Sequence, residues 1–147
     1  MNIVRKINEE LAIAGQITPV QLKQIADEGY SSVLNLRLSD EKGLLTQEQE
    51  QAEYLGLYYI NLPTKVEDIN HQATLSVIFA TIAELPKPTL IHCDNSIRSA
   101  AIVLLYIATK QGIAFEKALQ KTIQLGLIKI NAINLDLNTS IILVSLD

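Results

Sequence analysis

With 147 residues, 48% hydrophobic and 19% charged, and only 6 glycines and 4 prolines, the chain is sized for one domain, residues 1–147, which excludes disordered, collagen-like and low-complexity classes. Lys plus Arg number 12 and Asp plus Glu 16, a formal net charge of −4 that argues against nucleic acid or an anionic membrane as a partner; any anion needs a local device. A single cysteine, Cys93, excludes an intramolecular disulfide and a thiolate metal cluster within one chain.

No secretory signal is legible, because Asn8, Glu9 and Glu10 follow directly behind Arg5 and Lys6. The most apolar run, residues 100–108, is far short of the roughly 20 residues that cross a bilayer, so a soluble cytoplasmic protein is expected.

The first element is a short apolar strand, residues 11–15. Thr18 and Pro19 then open a helix, with a hydroxyl N-cap, proline in the first turn and Gln21 completing a capping box. Leu22, Ile25 and Ala26 give it an apolar face, and Gly29 stops it. Residues 31–36 read as a buried strand, ending at a polar loop over 37–43. Thr46, with Gln49 three residues on, predicts a second helix that carries Ala52 and Leu55 inward and stops at Gly56. Its acidic and amide run, residues 47–51, reads as a solvated outer face.

Residues 57–62 form a third strand, and a polar loop through Asp68 leads to a helix over 69–85 that Pro86 and Pro88 break. Residues 89–92 are a fourth strand that delivers Cys93 at its C-terminal end. Residues 99–111 are apolar nearly all round, the mark of a helix buried on most sides, and helix-forming residues resume over 115–125. The final segment, 128–147, reads as a strand or a helix, with a helix preferred as cover for the sheet. Alternating strands and helices predict an α/β fold, a mostly parallel sheet of four to five strands flanked by helices. Ligands in such folds sit beyond the C-terminal strand ends, where Arg37, Asp68 and Cys93 all fall.

The chemistry concentrates in residues 91–99, a strand end, a polar turn with one cysteine and one arginine, and a helix start. Backbone amides of Asp94, Asn95, Ser96, Ile97, Arg98 and Ser99 at a helix N-terminus make an anion site, and the Arg98 fork suits two oxygens of a phosphate. The same field favours a thiolate at Cys93, a nucleophile facing whatever group is bound, and Ser99 is placed to donate a hydrogen bond to the sulfur.

Three stretches, AIAGQITPVQLKQIADEGYSSVLNLR, PTKVEDI and HCDNSIRS, carry a resemblance over roughly residues 11–126. The chain resembles the cysteine-dependent phosphatase and rhodanese superfamily. Within it, the chain resembles a small bacterial group of protein tyrosine and dual-specificity phosphatase-like domains that also occurs fused to NAD kinases. The resemblance implies a protein tyrosine phosphatase-like fold and hydrolysis of a phosphorylated protein or small phosphomonoester through a cysteinyl-phosphate, without metal or organic cofactor. It implies Cys93 as nucleophile, Arg98 and the loop amides as phosphate ligands, and His92 as the residue that orients the loop. Asp68 falls on the family's acid-bearing loop, with Glu67 as neighbour. It reads equally as the N-cap of the helix expected to begin at Ile69.

The loop departs from the family pattern in three places. Four residues separate Cys93 from Arg98, where the tyrosine phosphatase signature has five; four is also the spacing of many rhodaneses and of the small bacterial group. Ser96 stands where glycine is usual, and a left-handed backbone there costs serine about 1–3 kcal/mol. Asp94 follows the nucleophile directly, and its carboxylate opposes both a thiolate and a bound phosphate unless it points outward. These features keep two alternatives open, a sulfurtransferase with a persulfide on Cys93 and a non-catalytic module that binds a phosphorylated ligand. His71 reads as a surface residue, two isolated histidines give no metal spacing, and Arg37 with Asp40 reads as a loop salt bridge ahead of a pocket border.

Overall fold

The computed structural model of the protein describes residues 4–40 and 47–124. Among the described residues five strands, β1 (Arg5–Lys6), β2 (Leu11–Ala14), β3 (Ser32–Asn35), β4 (Tyr58–Asn61) and β5 (Thr89–His92), form one sheet in the order β1-β2-β5-β3-β4. β2, β5, β3 and β4 run parallel. The helices are α1 (Pro19–Asp27), α2 (Glu48–Tyr54), α3 (Gln72–Glu84), α4 (Ile97–Lys110) and α5 (Phe115–Gln124), with a 3-10 turn at Val66–Asp68. This is the mostly parallel α/β architecture expected from the sequence.

Two-residue periodicity sends alternate strand side chains to opposite faces. Leu11, Ile13, Leu34 and Ile91 pack with Leu75, Ile78 and Ile82 of α3, Ile102 and Leu105 of α4, and Leu119 and Ile123 of α5. Ala12, Ala14, Val33 and Leu90 face Leu22 and Ile25 of α1 and Ala52 of α2. Each fully buried aliphatic side chain of this kind contributes about 1.5–3 kcal/mol. The central strand β5 is thereby covered on both faces, and the residue that leaves its end is held by rigid neighbours.

The α1 capping box is formed: Gln21 N donates to Thr18 Oγ1 (3.1 Å) and Thr18 N donates to Gln21 Oε1 (2.8 Å). Several boundaries differ from the expectation. β1, not expected, pairs antiparallel with β2 across a turn in which Asn8 Oδ1 accepts from Glu10 N and Leu11 N. Two residues are too few to show a period. α3 begins at Gln72 rather than 69, because the chain first makes the 3-10 turn and His71 takes the N-cap position. α4 begins at Ile97, two residues ahead of 99. The expectations for Thr46 and for residues 128–147 fall outside the described residues. The outer face expected over 47–51 is corrected at one position, since Glu48 is buried.

Candidate active site

β5 lies between β2 and β3, and its pairing continues into the loop. Leu36 N donates to His92 O (2.9 Å), Cys93 N to Ala14 O (3.2 Å) and Gln16 N to Asp94 O (3.1 Å). Gly15 permits that close approach: a Cβ at this position would meet Asp94 O at 2.9 Å. Cys93 has no exposed surface and packs in the core layer with α4. The chain then turns into α4 at Ser96, with φ 71° and ψ −7°, so serine adopts the left-handed conformation usually left to glycine. Ser96 makes no side-chain cap; Asn95 Oδ1 accepts from Ile97 N (3.1 Å) and satisfies one of the open amides of the first turn.

Arg98 is buried in that first turn. Its Nη1 donates to Thr64 O (3.1 Å) and its Nη2 to Asp94 Oδ1 (3.1 Å). Thr64, itself buried, is fixed by Thr64 N donating to Leu36 O (3.0 Å) and Thr64 Oγ1 to Leu62 O (2.9 Å). The guanidinium thus joins the Cys93 loop to the segment after β4. Asp94 does not point away: half-exposed, its carboxylate turns onto Arg98, where the attraction of opposite charges decides its direction. The bond expected from Ser99 to the sulfur is not formed. Ser99 Oγ is buried and has no hydrogen-bond partner.

Asp68 ends the 3-10 turn, four positions beyond Thr64, with its carboxylate 3.7 Å from His71 Nδ1 and partly exposed. It is not the cap of α3, because the helix starts one turn further on. Glu67 is exposed beside it. Asp40 is exposed, whereas Arg37 is buried and its Nη1 donates to Gln16 Oε1 (2.6 Å), so the pairing expected on the loop surface gives way to an interior role.

That interior contact belongs to a closed ring of polar side chains beneath the cysteine loop. Gln16 Nε2 donates to Glu48 Oε1 (2.8 Å), Tyr59 OH to Glu48 Oε2 (2.8 Å) and Asn35 Nδ2 to Tyr59 OH (2.9 Å). Arg37 N donates to Asn35 Oδ1 (2.9 Å), which completes the ring through Arg37 and Gln16. His92, wholly buried, bonds Glu48 Oε2 through Nε2 at 2.6 Å, and its Nδ1 lies 3.5 Å from Cys93 O. With Tyr59 and Gln16 donating to the carboxylate, His92 Nε2 carries the proton of that contact. Burial pushes the Glu48 carboxyl up. The hydrogen bond and charge of His92, with the bonds from Gln16 and Tyr59, outweigh burial and hold it below the usual range. Tyr59 is pushed up by burial and by the Glu48 charge. Sequence reasoning missed Glu48, although a signal exists: Glu48 shares a helical face with the inward-facing Ala52, four residues on.

The chain matches the family of the beta-lactamase hydrolase-like protein, phosphatase-like domain, over residues 3–110. The beta-lactamase hydrolase-like protein of Xylella fastidiosa is 31% identical over 102 residues, which make up 67% of this chain and 23% of that protein. The chain spans about a quarter of the length of the curated relatives it matches. In structure it is similar to a DUF442 protein of Shewanella putrefaciens, with a TM-score of 0.70 at 19% identity over 86% of this chain and 82% of that one. It is also similar to TpbA of P. aeruginosa, solved in complex with phosphotyrosine, with a TM-score of 0.59 at 14% identity over 86% of this chain and 75% of that one. At these identities the structural likeness speaks for the fold, which is the protein tyrosine phosphatase-like one expected from the sequence. No helix among the described residues is long and apolar enough to cross a membrane.

Proposed function

Because the chain belongs to the family of beta-lactamase hydrolase-like protein, phosphatase-like domains, we propose that it is a cysteine-dependent phosphatase, a cytoplasmic phosphoric monoester hydrolase of residues 1–147 acting as one domain. The observation that carries this reading is the strand–loop–helix unit itself. Cys93 leaves the end of β5, and one short loop later the buried Arg98 guanidinium turns back onto that loop, 3.1 Å from the Asp94 carboxylate.

The Cys93 thiolate attacks phosphorus and the bond to the ester oxygen breaks. Asp68 protonates the departing oxygen, and water then hydrolyses the cysteinyl-phosphate to inorganic phosphate, returning the thiolate. Arg98 and the loop amides of Asp94, Asn95, Ser96, Ile97 and Ser99 hold the phosphoryl oxygens. Ser99 Oγ, buried and without a partner, is a donor available to the thiolate or the phosphoryl group. His92 supports the loop from below through its bond to Glu48. The phosphotyrosine held by TpbA supports a phosphorylated protein or small phosphomonoester as substrate. The test is hydrolysis of an aryl phosphate: wild type turns it over and Cys93→Ser abolishes the activity. An unchanged rate in Cys93→Ser overturns the reading.

A second reading, a non-catalytic module for a phosphorylated ligand, draws on the Asp94 carboxylate seated at Arg98 and on the lack of exposed surface at Cys93. Vanadate binding without turnover selects it, and thiocyanate formation from thiosulfate and cyanide selects a sulfurtransferase instead.

A further inference from the structure

We propose that Asp94 is an internal competitor that sets the affinity of the cysteine loop for phosphoryl groups, its carboxylate taking the place at Arg98 that a phosphoryl oxygen would take. A phosphoryl group binds at Arg98 only by displacing that carboxylate, which lowers its affinity. This rests on the loop being a phosphoryl site.

Two observations converge. Asp94 Oδ1 lies 3.1 Å from Arg98 Nη2, and a guanidinium recognises carboxylate and phosphoryl oxygens through the same donors. Asn95 Oδ1 accepts from Ile97 N on the exposed side of the loop, so one amide of the helix start is also already taken.

Two of the Arg98 contacts differ in how readily they yield. On one side is Thr64 O, a backbone atom of a buried residue fixed by two hydrogen bonds of its own. On the other is a carboxylate whose side chain is 49% exposed, against 8% for Arg98. A pair with one half-exposed partner is worth no more than about fivefold in an equilibrium constant, so the Asp94 arm is the one that swings away. With it in place, the Asp94 carboxylate offsets the positive charge of Arg98 that a phosphate dianion would meet. After hydrolysis the carboxylate returns to Arg98 as inorganic phosphate leaves, which limits product inhibition.

Calorimetric titration with inorganic phosphate tests this without turnover. Asp94→Ala binds phosphate about tenfold more tightly than wild type, from the lost competitor and the lost like-charge repulsion, and Asp94→Asn falls between. Thermal melts identify any variant that fails to fold, and the two substitutions keep the comparison open if one does. Equal or weaker phosphate binding in the folded variants, or no phosphate bound by any form, overturns the proposal. If affinity rises in Asp94→Ala while no aryl phosphate is hydrolysed, the catalytic reading fails and this one stands. If Cys93-dependent hydrolysis is found and Asp94→Ala gains nothing, the reverse holds.

Discussion

Replacing Glu48 by Gln keeps the shape of the side chain and removes its charge from the ring beneath the cysteine loop. The carboxylate accepts three hydrogen bonds, from His92 Nε2 (2.6 Å) and Tyr59 OH (2.8 Å) at one oxygen and Gln16 Nε2 (2.8 Å) at the other. An amide offers only one oxygen. If it keeps His92 and Tyr59, its NH2 faces the NH2 of Gln16, which cannot flip without losing Arg37 Nη1 (2.6 Å). A lost charge-assisted bond and a buried donor left unpaired together cost about 2–4 kcal/mol. At 2–4 °C per kcal/mol for a domain of this size, the melting temperature falls by about 5–15 °C.

The pH dependence follows from the depressed Glu48 carboxyl. A group whose folded pKa lies below its unfolded value, about 4.3, adds stability that is complete above that value and lost as pH falls through the folded one. Gln does not titrate, so the gap between wild type and variant is widest at neutral pH and narrows below about pH 4. Urea unfolding from neutral to acid pH measures both quantities. A gap under about 0.5 kcal/mol at neutral pH, or one that widens on acidification, refutes the assignment of Glu48 as the charged centre of the ring.

Ser96→Gly relieves a left-handed backbone costing about 1–2 kcal/mol against a glycine entropy cost of about 0.5–1, so urea unfolding shows a gain near 0.5–1 kcal/mol; a loss contradicts the strained turn. Gly15→Ala places a Cβ 2.9 Å from Asp94 O and lowers stability by about 1–3 kcal/mol, and an unchanged melt shows that the close approach is not required. Asp68→Asn slows hydrolysis of an alkyl phosphate by about a hundredfold or more and of an activated aryl phosphate by less; equal effects on both rule out Asp68 as the acid.

What was legible beforehand had local causes. Thr18, Pro19 and Gln21 spell a helix start in adjacent residues, and the apolar strands with helix-length crossovers imply a parallel sheet. His92, Cys93 and Arg98 sit where a strand end meets a helix start, a placement visible from hydropathy and punctuation alone. What stayed hidden depends on partners distant in sequence. Glu48 stands in an acidic and amide run that reads as surface, and only His92, Gln16 and Tyr59, brought in from other elements, explain its burial. Asp94 turns onto Arg98 because the helix start aims the guanidinium back at the loop, a direction spacing does not specify. Arg37 became interior for the same reason, through Gln16. Asp68 looked like a cap because Ile69 begins an apolar pattern, but the chain spends one 3-10 turn before α3 starts.

In the proposed mechanism Cys93 carries the phosphoryl group in mid-reaction. Acid-quenching the enzyme during turnover of an aryl phosphate and mapping it by mass spectrometry tests this directly. The expected result is a phosphoryl adduct on Cys93 that is absent from Cys93→Ser. Turnover that proceeds in both forms with no adduct on Cys93 contradicts it.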